Sequence, residues 1–181
     1  LSNHHLFKGT LFDTIVTSDL GKKIAKSKGL ETFSTLTGFK YIGEQIKLSE
    51  NTITLFYFGY EESSGYLIKD FVRDKDSLQA LVLISEIASY YKQHNKTLVE
   101  ILDEIYKKHG YFEEEIISFS FEGEDGISKM NRTIDHFRSL DFESIGFSIM
   151  EDYQKSCRYG ALPLKITLPK ENVIKFIKAD K

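Results

Sequence analysis

Three times between Phe12 and His94 the sequence passes from a short apolar stretch through a polar bend into a helical pattern. That repetition limits the folds open to the chain more than any other feature. The first unit is a strand over Phe12–Thr17, carrying Ile15 and Val16, followed by Ser18-Asp19, either of which can cap a helix over Leu20–Lys28 that Gly29 ends. The second is Glu31–Leu36, then Thr37-Gly38-Phe39-Lys40 opening a helix with Tyr41, Ile42 and Ile46 on one side. The third is Thr52–Phe58, bounded by Gly59, then the bend Glu61-Glu62-Ser63-Ser64-Gly65-Tyr66 and a helix from about Asp76 to His94. Asp76 and Gln79 have capping-box spacing there, and Leu78, Leu81, Val82, Ile84, Ile87, Ala88 and Tyr91 form a broad apolar face. Strands joined through helices need crossover connections, which predicts an α/β fold, a mainly parallel sheet with helices on both faces. In such a sheet every strand-to-helix bend lies at the carboxyl edge, so Thr17–Asp19, Thr37–Lys40 and Glu61–Tyr66 should share one rim.

Beyond the third unit, Thr97 and Glu100 form a second capping box before a helix bearing Leu98, Ile101, Leu102 and Ile105 and ending near Gly110. The pattern changes at Glu113-Glu114-Glu115. Ile116, Ile117, Phe119 and Phe121 then read as a strand, Gly126–Leu140 as a helix, and Ile145–Tyr153, Leu162–Thr167 and Val173–Ile177 as further strands. The expected organisation is an α/β domain over 1–113 followed by a partial α+β domain over 114–181.

Composition narrows the function classes. A net charge of -3 with mixed signs gives no basic footprint for nucleic acid, and the aromatic runs Tyr57-Phe58-Gly59-Tyr60 and Tyr90-Tyr91 are not interleaved with basic residues. No apolar run approaches the ~20 residues that cross a bilayer, and Leu1–Thr10 lacks the apolar core of a secretion signal, so no membrane partner is expected and the cytoplasm is the default. The single Cys157 excludes an internal disulfide framework and has no histidine near it in sequence. His94, His109 and His136 are far apart, and the first two fall at predicted helix ends, where the dipole accounts for them without a metal.

Chemistry concentrates in the third bend. Two carboxylates, two hydroxyls and a glycine follow a strand directly, and carboxylates accept while hydroxyls donate and accept, which suits the neighbouring hydroxyls of a small ligand such as a sugar. Glu61 and Glu62 are equally explicable as a solvated turn, and neighbours in an extended chain point apart. A glycosidase pair would flank a bond at ~5 to 9 Å and come from different segments.

The runs Thr35-Leu36-Thr37-Gly38-Phe39-Lys40, Phe58-Gly59-Tyr60-Glu61-Glu62-Ser63-Ser64-Gly65-Tyr66 and Phe71-Val72-Arg73-Asp74-Lys75-Asp76 together resemble the third domain of the alpha-D-phosphohexomutases. Their order and spacing match the phosphoglucomutase branch. The resemblance is dense from about 10 to 113, and 114–181 loosely resembles the start of that family's fourth domain.

The resemblance implies a phosphoglucomutase-like or phosphomannomutase-like parent, an intramolecular phosphotransferase that interconverts sugar 1-phosphate and sugar 6-phosphate through a phosphoserine. Its substrate would be a hexose or pentose phosphate. Carried over by position, Glu61 and Ser63 bind the ring hydroxyls, with Glu62 and Ser64 as alternates because the bend aligns in two registers. Thr37 and Gly38 line the same cleft. Lys75 matches a lysine proposed as general acid or base, a role that needs burial or a nearby cation to lower its proton affinity; a surface pair with Asp74 and Asp76 is the other reading. Arg73 and Lys40 would supply positive charge to phosphate, and Thr37-Gly38 is also explicable as a helix cap alone. The family's phosphoserine, magnesium and phosphate loops do not occur here. Mg2+ would therefore be bound outside this chain, and the chain reads as a fragment, inactive without the parent's remaining domains and able to bind sugar phosphate only weakly. The alternative is a non-catalytic sugar-phosphate-binding or interaction module of the same fold.

Overall fold

The computed structural model describes residues 9–50, 52, 54–160 and 163–178; the expectations placed on Leu1–Lys8, Ile53 and Leu162 lie outside them. The chain divides into two compact units, 1–115 and 116–181.

The first unit is built on β1 (Gly9–Thr14), whose six residues are all buried. It pairs in parallel with β2 (Glu31–Thr35) on one side and β3 (Leu55–Tyr60) on the other. A short β4 (Tyr66–Leu67) pairs antiparallel to β3, giving the order β2-β1-β3-β4. The crossover helices are α1 (Leu20–Ser27) and α2 (Phe39–Ser49). Because the chain steps from β1 to β2 in one direction and from β2 across to β3 in the other, right-handed crossovers put α1 and α2 on opposite faces. A bulge assigns the side chains of β3 to those faces. Thr10 pairs with Phe56 and Leu11 with Phe58, so Tyr57 is the unpaired extra residue. Phe56 consequently lies on the α2 face, stacked on Phe12 with ring centroids 6.0 Å apart, in a core with Phe39, Ile42, Ile46 and Leu67. Phe58 and Tyr60 lie with Leu11, Leu20 and Ile24 on the α1 face.

Several boundaries differ from the expected ones, for physical reasons. The first strand runs Gly9–Thr14 rather than into Thr17, because Thr17 N–H donates to the Thr14 carbonyl at 3.1 Å and turns the chain. Gly59 does not end the third strand; it pairs with Phe12 on one side and Leu67 on the other. The bend after β3 is therefore a hairpin, which makes the sheet mixed. Asp76 caps α3 (Ser77–Gln93) through the Leu78 and Gln79 amides, but Gln79 does not reach back to close a capping box on the backbone. Its side chain instead accepts from the Ile68 and Lys69 amides at 3.1 and 2.6 Å and ties α3 to the end of β4. No residue of α3 is buried, and Leu78, Leu81, Val82 and Ile84 stay exposed, because the two-residue β4 is too short to cover the helix's apolar face. The capping box predicted at Thr97 and Glu100 is fully formed on α4 (Leu98–His109). Neither Ser18 nor Asp19 caps α1 by its side chain; Asp19 pairs with Lys22 at 2.8 Å, and the Ser18 amide donates to Glu114 at 2.5 Å.

The second unit carries α5 (Gly126–Ser139) and an antiparallel sheet of β5 (Ile149–Asp152), β6 (Cys157–Gly160), β7 (Leu164–Lys165) and β8 (Ile174–Ile177), in the order β7-β6-β5-β8. Arg138 on α5 donates to the fully buried Asp152 at 2.9 Å and to Asn172 at 2.8 Å, which pins the helix to the sheet. The strand expected over Ile116–Phe121 does not form. Those residues alternate as a strand would, but no ladder partner takes their backbone groups, and Ile116, Ile117 and Phe119 are exposed.

Asp13 in β1 is a fully buried carboxyl in the first unit. Its Oδ1 accepts from the Ser34 hydroxyl at 2.6 Å, and Oδ2 faces Lys22 Nζ at 3.5 Å. Burial raises its proton affinity above the ordinary carboxylate range, partly offset by Ser34 and Lys22. A carboxyl raised in this way favours the fold most below its unfolded value of 3.8, and that contribution is lost as pH rises. Asp13→Asn, which leaves Lys22 paired with Asp19, is expected to raise Tm at pH 7 and to change it little at pH 3; thermal unfolding at both values checks this, and a lower Tm at pH 7 contradicts it.

Candidate functional site

The three polar bends of the first unit meet at the carboxyl edge of the sheet, and two carboxylates join them. Glu61 begins the bend after β3 and is 4% exposed. Its Oε1 accepts the Gly38 amide at 2.8 Å, while its own amide donates to the Gly65 carbonyl at 2.9 Å and closes the hairpin. Glu62, in the turn that follows, reaches instead toward the end of β1. Its Oε2 accepts the hydroxyls of Thr14 at 2.9 Å and Thr17 at 3.0 Å. Hydrogen bonds to an ionised group contribute about 1.5–3 kcal/mol each, so these contacts hold the bend far more firmly than its sequence alone would.

Gly38 can make its contact because its backbone has φ +119°, a region that side chains disfavour, and this conformation aims the amide at the bend while starting α2. No side chain caps α2, so the cap reading of Thr37-Gly38 reduces to the glycine backbone. Gly65 is required for another reason. A Cβ built there would lie 2.9 Å from Glu61 Oε2, 3.1 Å from the Lys75 stem and 3.3 Å from the Phe39 ring.

With Glu61 and Glu62 turned inward, Ser63 and Ser64 are left exposed at the tip, Ser64 in the left-handed region at φ 66°. Thr37 and Lys40 are exposed on the neighbouring bend, Lys40 Nζ lying 4.7 Å over the Tyr41 ring. Lys75 lays its stem beside Gly65 and its ammonium 5.8 Å from the centre of the Phe39 ring. The Lys75 side chain is 57% exposed and its ammonium lies 3.7 Å from the Asp74 carboxylate, so its described neighbour is an anion rather than a cation. The fold thus brings Glu61, Glu62, Ser63, Ser64, Thr37, Gly38, Lys40 and Lys75 around one edge. Arg73 is the exception. Its carbonyl packs on Gly43, midway along α2, and its guanidinium pairs with Glu50 at the far end of that helix, directed away from the rim. The sequence reading missed Thr14, whose only signal was a threonine three residues before another at the end of a strand. It also missed the close approach that Gly65 permits.

The described residues contain no group of three or more His, Cys, Asp or Glu able to hold a metal ion, so no step is derived through one. No helix among them is long and apolar enough to cross a membrane. A hollow of about 530 Å³ under α3 is lined mainly by apolar residues, among them Phe58, Ile68, Ala80, Ile84 and Ile87, with Ser77 and Tyr66 as its hydroxyl-bearing members. Polar groups are denser at the rim, which makes the rim the candidate site for a polyhydroxyl ligand.

The family model described as phosphoglucomutase/phosphomannomutase, alpha/beta/alpha domain III, matches residues 1–109, a stretch that takes in all three bends. The chain belongs to the phosphoglucomutase/phosphomannomutase family. It is 35% identical over 173 residues to a phosphoglucomutase of Staphylococcus aureus (strain bovine RF122 / ET3-1), and 34% identical over 173 residues to one of Staphylococcus haemolyticus (strain JCSC1435). Each alignment covers 92% of this chain and 31% of the relative, so the chain spans about a third of the length of the curated relatives it matches.

Adding a methyl group at Gly65 forces the Glu61 carboxylate or the Lys75 stem to move. Gly65→Ala is expected to lower the unfolding free energy by about 1–3 kcal/mol, as overpacking of a close contact does. Urea unfolding of the chain tests this, and an unchanged midpoint would show that the bend yields freely.

Proposed function

We propose that this chain is the sugar-recognition part of a phosphohexomutase that interconverts a sugar 1-phosphate and a sugar 6-phosphate through a phosphoserine. The observation that carries the reading is the convergence of three polar bends at one sheet edge, held together by Glu61 and Glu62, with Ser63, Ser64, Thr37 and Lys40 exposed on them and Lys75 beside Gly65. Ser63 and the Glu61 carboxylate take the ring hydroxyls, Ser64 and Glu62 being their alternates in the second register. Glu61 Oε1 is already committed to the Gly38 amide, so its contribution comes from Oε2, on the Gly65 side. Lys40 and the positive end of the α2 dipole supply positive potential to the phosphate. In this reading Lys75, whose stem lies beside Gly65, exchanges a proton with a sugar oxygen.

The phosphoserine and Mg2+ would be carried outside this chain, the metal supplying charge stabilisation to the transferring phosphoryl group. Without them the isolated chain is inactive and binds sugar phosphate weakly, since affinity depends on enclosing the ligand.

The test uses the protein expressed from the complete reading frame, assayed for interconversion of glucose 1-phosphate and glucose 6-phosphate with magnesium. Ser63→Ala is expected to raise KM about 5- to 30-fold, the loss of one hydrogen bond worth about 1–2 kcal/mol. Lys75→Met is expected to lower kcat about 10²- to 10⁴-fold if the amine transfers the proton; a change in KM alone would make Lys75 a charge contact. Wild-type protein that binds sugar phosphate without turnover would favour a non-catalytic module.

A further inference from the structure

We propose that Thr14 and Thr17 are positioning residues for the ligand-binding bend, acting through the carboxylate of Glu62. Neither threonine reaches the exposed tip. Thr14 is the last residue of β1 and fully buried, and Thr17, in the turn that follows, is 5% exposed. Their hydroxyl oxygens lie 2.9 Å from one another, and both lie within 3.0 Å of Glu62 Oε2.

The arrangement has more contacts than protons. Each hydroxyl carries one hydrogen, so two hydrogens serve three short oxygen–oxygen contacts. The charged acceptor draws both of them, because a hydrogen bond to a carboxylate is about twice as strong as one between neutral groups. Thr17 Oγ1 is then left as an acceptor, and the Thr14 amide donates to it at 3.3 Å. The carboxylate is thereby held by two donors, one at the end of the central strand β1 and one in the turn that follows it.

This grip is independent of the one on the preceding residue. Glu61 is held by the Gly38 amide on the α2 side, and Glu62 by Thr14 at the end of β1 and Thr17 in the turn after it. Ser63 follows directly, and Ser64 takes its positive φ one residue later. The two exposed hydroxyls are therefore set by a bend anchored in opposite directions. Releasing the Glu62 anchor lets residues 62–64 swing while Glu61 stays in place, and the ligand then meets its hydroxyl partners out of register.

The inference rests on reading the bend as the sugar contact. Its test is Thr17→Val in the protein from the complete reading frame, with Thr17→Ser as the conservative partner and glucose 1-phosphate as substrate. Valine keeps the shape and removes the hydroxyl; serine restores it. The expected result is a KM raised about 5- to 10-fold in Thr17→Val with kcat within about twofold, and a KM near wild type in Thr17→Ser, measured well below Tm. A purely structural defect lowers the amount of active protein, and so kcat, and leaves KM where it was. Thr17→Ala, which adds no bulk, replaces Val if Val prevents folding. Wild-type turnover with an unchanged KM in the Val or Ala variant, or failure of Ser to restore it, overturns the positioning role and leaves the function standing. A wild-type protein that neither turns over nor binds sugar phosphate removes both.

Discussion

The hydrogen bond from the Gly38 amide to Glu61 is the contact on which the rest of the candidate site depends. A parallel sheet sends its strand ends to one edge, and the bends there carry backbone groups that no ladder satisfies. One buried carboxylate answers this for two bends at once: it takes the amide at the start of α2 and fixes the hairpin that follows β3. Removing Glu61 would leave the Gly38 amide without its partner and the hairpin without its tether to α2. The nearby requirement for glycine at 38 and 65 follows from the same contact, one by backbone conformation and one by lack of space.

A second consequence is a division of labour within four residues. Glu61 and Glu62 face inward in opposite directions, which leaves the serines outward. Carboxylates make good anchors because they accept several hydrogen bonds with charge assistance. Hydroxyls on a fixed bend suit reversible contact with ligand oxygens, since they donate or accept as the ligand requires. The bend is rigid where it meets the sheet and available where it meets solvent.

The sequence made the three α/β units legible because apolar strands, polar bends and helix signals recur in order, and the Thr97–Glu100 box was readable because both partners lie within one turn. It misplaced what depends on distant partners. Gly59 read as a strand end, yet two neighbouring strands pair with it. Ile116–Phe121 read as a strand, yet nothing pairs with it. Arg73 read as a phosphate ligand beside Lys75, yet Glu50, at the opposite end of α2, holds its guanidinium. Gln79 had the spacing of a capping box, yet the end of β4 claims its side chain.

The amino-acid order by itself determined the strands and helices of the first two α/β units, that the connections among β1, β2 and β3 are crossovers, and hence that the polar bends share an edge. Local periodicity and handedness suffice for that. Only the tertiary structure decided which way each side chain of the bend points. Glu61 and Glu62 are chemically identical neighbours, and their different roles come from an amide 23 residues earlier and two hydroxyls 48 and 45 residues earlier.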